Sequence, residues 1–81
     1  MKLYGYLAGG QEPAPCNLEE VTIATDPRTL RLMAQFFAHV ADAIEEHGRD
    51  FGHEHFEHFA RQERPSCRLV VVPERSSQGL E

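Results

Sequence analysis

Five histidines occur in a chain of 81 residues, and three of them fall in one short stretch, His53-Glu54-His55-Phe56-Glu57-His58. On a strand, His53 and His55 point to the same side, the spacing that lets two imidazoles share a metal ion. On a helix, His55 and His58 at i and i+3 do the same. A third ligand would have to come from His58, or from Glu54, Glu57, Asp50 or Cys67 folding in. The zinc-protease pattern H-E-x-x-H is broken, because the position four after His53 is Glu57. The metal reading therefore names His53, His55 and His58, with zinc or another divalent ion. The plainer reading has these imidazoles packing beside phenylalanines on a half-exposed surface and bonding to nearby backbone or carboxylates. It carries more weight, because ligand types without a fixed third partner remain a hypothesis. The same cluster predicts a change in stability or association between about pH 5.5 and 7.5, where imidazoles titrate.

Other constellations are thin. Cys16 and Cys67 each begin a predicted strand, and no neighbour marks either as a thiolate. Two cysteines do not make a disulfide scaffold, so reduced thiols are expected. Ser66, Ser76 and Ser77 lack a strand–turn–helix elbow, and Gly9-Gly10 is followed by Pro13 and Pro15 where a phosphate loop needs a helix N-terminus. The pairs Glu19-Glu20 and Glu45-Glu46 are neighbours in sequence and diverge in space. No catalytic residue is assigned, and no cofactor is expected outside the metal reading.

The elements that must position these residues follow from pattern. Lys2 to Ala8 alternates, with Leu3, Gly5 and Leu7 on one face and Tyr4 and Tyr6 on the other, which predicts a strand. A loop over Gly9–Pro15 follows, then a strand over Asn17–Thr25 with Val21 and Ile23 facing in and Glu20 and Thr22 out. Asp26-Pro27 announces a helix of about 20 residues, Asp26 capping and Pro27 sitting where its missing donor costs nothing. Its apolar stripe is read as Leu30, Met33, Ala34, Phe37, Val40, Ala41 and Ile44, and Gly48 is the expected stop. His53–Phe59 fits a strand or a helix, and periodicity does not separate them. Cys67–Val72 reads as a strand buried on both faces. Glu74–Gly79 is a polar tail, and Leu80-Glu81 reads as a cloning scar.

The expected fold class is α+β: a small antiparallel sheet in the order β-β-α-β-β, with one long helix packed on one face. One domain over residues 1–75 and a flexible tail over 76–81 account for the chain. Its formal charge of −5 and pI near 5.5 argue against binding nucleic acid or an anionic membrane. No secretory signal or membrane span is visible, which gives a cytoplasmic expectation. Asp42, Glu45 and Glu46 crowd the helix end, where acid opposes the macrodipole and where it could steer a basic partner.

The succession Met-Lys-Leu-Tyr-Gly-Tyr, Thr-Ile-Ala-Thr-Asp-Pro, a helix with Phe36-Phe37, Phe51-Gly52-His53-Glu54-His55-Phe56 and Leu69-Val70-Val71-Val72 resembles a known family. It is similar to the small α+β immunity proteins of bacterial polymorphic toxin systems, in particular the immunity protein thirty-two family. The resemblance covers roughly Lys2 to Val72. It implies an inhibitor that binds a cognate toxin in the same cell without catalysis, and it favours the strand reading of His53–Phe59. The expected function is thus a protein-binding module whose partner is a protein, with a basic toxin domain as the candidate. Tyr4, Tyr6, Glu45, Glu46, His53 and His55 are the candidate contact residues. The alternatives are a metal-binding protein or small metal-dependent enzyme using the His cluster, and a homodimeric structural subunit.

Overall fold

The structure, a computed structural model, describes residues 1–9, 15–65 and 67–74. The interior of the Gly9–Pro15 loop, Ser66 and the tail from residue 75 lie outside the described residues.

The long helix α1 spans Pro27–His47 and carries the fold. Its start is set by local chemistry: the Asp26 carboxylate accepts from the Thr29 N–H at 2.7 Å, and Pro27 opens the first turn. Its end comes at Gly48, whose φ of 55° and ψ of −120° suit a residue without a Cβ, and whose N–H donates to the Ile44 carbonyl. One 3₁₀ turn, Gly48–Asp50, then redirects the chain.

Met33, Phe36 and Val40 are the buried residues of α1, and Phe51 and Phe56 close over them. Leu32, Ala43, Ile44, Ala60, Leu69 and Val71 pack around this cluster. Phe36 is fully buried, with its ring 5.4 Å from Phe56 in edge contact and 5.5 Å from Phe59. The expected stripe is corrected here: Leu30 and Phe37 remain about half exposed, and Ala34 and Ala41 face solvent. Adjacent phenylalanines gave the helix two apolar faces, and the packing of Phe51 and Phe56 selects the one carrying Phe36.

The α+β class and the β-β-α-β-β order hold, with the strands paired in two separate ladders instead of one four-stranded sheet. β1 (Tyr4–Gly5) pairs antiparallel with β2 (Cys16–Asn17), Tyr4 opposite Asn17. β3 (Glu54–His55) pairs antiparallel with β4 (Val70–Val71), His55 opposite Val70. Each is far shorter than its sequence pattern, because a lone two-stranded ladder has no hydrophobic sheet to extend into. No described residue of 1–26 is buried, so Leu3 and Leu7 are as exposed as Tyr4 and Tyr6, and Val21 and Ile23 stay outside too. In β4 the expected burial on both faces is also corrected: Leu69 and Val71 turn inward, whereas Val70 and Val72 are exposed. His53–Phe59 is neither all strand nor all helix. It leaves β3 after His55 and enters a single helical turn, α2 (Phe56–Phe59), against the strand preference of the resemblance.

Candidate functional site

The change from strand to helix at residue 56 creates the most chemically loaded corner of the molecule. Continuing the β3–β4 register places Phe56 opposite Leu69, and the Phe56 N–H does donate to the Leu69 carbonyl at 2.8 Å. In a regular antiparallel pair the Leu69 N–H would donate back to the Phe56 carbonyl. That carbonyl is already taken by the Ala60 N–H at 2.8 Å, as the helical turn requires. The Leu69 N–H goes instead to Glu57 Oε1 at 3.1 Å. A side-chain carboxylate thus replaces the missing ladder acceptor.

The other oxygen, Glu57 Oε2, lies 2.8 Å from Nδ1 of His55. Glu57 is only 5% exposed, and burial alone pushes a carboxyl's pKa up. The His55 bond, the backbone of Glu57 itself and the Leu69 N–H outweigh that and hold the pKa below its ordinary value. Glu57 is therefore ionised and accepts at both oxygens.

His55 is the hub of three imidazoles. Its ring centroid is 5.0 Å from that of His53 in an edge arrangement and 4.8 Å from that of His58 in a stacked one. His55, Glu57, His58, Gln62, Glu63 and Arg68 line an open groove of about 500 Å³. One potential ligand atom from each of His55, Glu57 and His58 lies within 4.8 Å of the others. The donor set that converges is thus His55, Glu57 and His58, with His53 exposed and beside it. Sequence reasoning named Glu57 only as one of several carboxylates that could fold in. Its particular placement depends on the chain leaving the ladder at Phe56, and no local pattern signals that exit.

The other candidate residues lie apart from this corner in sequence. Tyr4 and Tyr6 are 50% and 64% exposed on the N-terminal hairpin. Glu45 and Glu46 are exposed in the last turn of α1, with Asp42 before them and Asp50 after. His39 packs its ring 5.6 Å from Phe59, the ordinary arrangement expected for a histidine beside phenylalanine. Cys16 and Cys67 are free thiols. No helix among the described residues is long and apolar enough to cross a membrane.

Comparison with known proteins adds one finding. Residues 20–72, about two thirds of the chain, match the family model described as Immunity protein 32. No curated protein and no solved structure matches.

Proposed function

The chain belongs to the immunity protein 32 family, and from that premise we propose that it acts without catalysis, binding and neutralising a cognate bacterial toxin in the cytoplasm. The family match is the observation that carries this reading, and the matched span includes all five buried core residues. Two surface features support a protein partner. The N-terminal segment leaves Leu3, Tyr4, Tyr6, Leu7, Leu18, Val21 and Ile23 unburied, more apolar side chain than an isolated domain ordinarily leaves on one segment. The end of α1 gathers exposed Asp42, Glu45, Glu46 and Asp50, a local concentration of the chain's net charge of −5 that suits a basic toxin surface. Tyr4, Tyr6, Glu45, Glu46, His53 and His55 are the contact residues of this proposal.

The test is capture of the tagged chain's partner from its native cell, followed by expression of the recovered protein with and without the chain. The expected result is a partner that arrests growth alone and is harmless when the chain is co-expressed. A partner that does not affect growth, or recovery of the chain by itself, overturns the reading. Glu45→Lys with Glu46→Lys is expected to slow association and to reduce its salt dependence, as removal of a steering charge does.

A further inference from the structure

We propose that His55 and His58 form a binding site for a transition-metal dication of the zinc class, with Glu57 as its positioning residue. Glu57 Oε1 accepts from the Leu69 N–H at 3.1 Å and Oε2 lies 2.8 Å from Nδ1 of His55, so the carboxylate accepts at both oxygens when Nδ1 carries the ring proton. The lone pair of a neutral His55 is then at Nε2, which has no hydrogen bond among the described residues. A carboxylate behind an imidazole in this way is the arrangement that orients metal-bound histidines and raises their basicity. His58 supplies the second nitrogen from the next helical turn, stacked 4.8 Å away and exposed. Ligand atoms on one tetrahedral zinc ion stand about 3.4 Å apart, given zinc–nitrogen bonds of about 2.0–2.1 Å. One ligand atom from each of His55, Glu57 and His58 lies within 4.8 Å of the others, so the three side chains already converge on one end of the groove, with the His58 ring exposed. Imidazole donors favour zinc, nickel or copper over magnesium or calcium, which take oxygen. The remaining coordination positions open onto the groove and are left to water. The site shares His55 with the proposed toxin contacts, but its test uses the free chain and does not depend on the immunity reading.

The two oxygens of Glu57 also provide the decisive variant. In Glu57→Gln, the amide oxygen can still accept from the Leu69 N–H, while the amide NH₂ donates to Nδ1 of His55. The proton on the ring must then move to Nε2, blocking the metal-seeking nitrogen with the fold kept. The experiment is titration of the untagged chain with Zn²⁺, read by imidazole nitrogen resonances in long-range proton–nitrogen NMR. One equivalent is expected to move Nε2 of His55 together with a ring nitrogen of His58, and to leave His39 and His47 where they were. His58→Asn, an exposed position safe for folding, is expected to weaken binding about tenfold or more. Glu57→Gln is expected to convert His55 to the Nε2–H form and to weaken binding by about 10- to 100-fold. Absence of a shift at stoichiometric zinc, a shift confined to other histidines, or unchanged affinity in His58→Asn overturns the site. Unchanged affinity in Glu57→Gln with the proton moved overturns the role given to Glu57.

Discussion

The two carboxylate oxygens of Glu57 do different work: one completes the backbone bonding of β4, and the other fixes a histidine ring. Both bonds are stronger to the ionised carboxylate than to the neutral acid, and they hold the pKa of Glu57 below its ordinary value. The sign follows from linkage: a lowered native pKa adds stability that is complete above about 4.3, the ordinary glutamate value, and is lost as pH falls through the lowered native value. Urea midpoints measured from about pH 6 to about pH 3 are expected to fall at the acid end. In Glu57→Ala that acid limb is expected to flatten, and the neutral-pH stability to drop by about 1–3 kcal/mol for an acceptor removed from a part-buried N–H. An acid limb of equal slope in the variant would show that other carboxylates cause it. The sequence does display the histidines and their near neighbours, because residue type and spacing are local. It does not display Glu57 as their anchor, because that role comes from Leu69, twelve positions away.

The long helix shows the same division at the level of elements. Its ends were legible, since Asp26-Pro27 and Gly48 act within a few residues of themselves. Its buried face was not, since Phe36 and Phe37 offer alternatives that only Phe51, Phe56 and Phe59 distinguish. Strand lengths were unreadable for a related reason: alternation in residues 2–8 and 17–25 is necessary for a half-buried strand, yet among the described residues no third strand or helix buries those side chains. Gly48 gives a direct check on the stop. A Cβ there meets nothing within 4 Å, so Gly48→Ala is expected to cost about 1–3 kcal/mol from backbone conformation alone. Gly52, equally open and without a positive φ, is the control, with Gly52→Ala expected to change stability by less than about 0.5 kcal/mol. Equal effects in denaturant unfolding would remove the strain argument.

At the scale of the whole molecule, burial is uneven. All five buried core residues fall between Met33 and Phe56, with Leu69 and Val71 packed against them, whereas none of the described residues of 1–26 is buried. The family match begins at residue 20 and takes in the whole of this core. Amide hydrogen exchange is therefore expected to be fast over residues 2–9 and 16–25 and slow over residues 33–44, where opening approaches global unfolding. Comparable protection in the two regions would mean that the N-terminal hairpin is tied to the core more firmly than its burial indicates. A bound toxin that covers Tyr4 and Tyr6 would slow exchange in the first region selectively.

The neighbouring phenylalanines of α1 also bear on how the chain finds its fold. Phe36 and Phe37 differ by one residue, or about 100° around the helix axis. During collapse, a helix rolled by that angle would offer Phe37 to Phe51 and Phe56, with Leu30, Ala34 and Ala41 in line behind it. This is a competing arrangement assembled from the same helix, and such near-degeneracy roughens the route to the native state. Phe37→Gln removes the competitor, so refolding in stopped-flow measurements is expected to become faster, or to lose a slow phase, relative to the parent chain. A slower parent-like trace in that variant would mean that the search never visits the rolled helix.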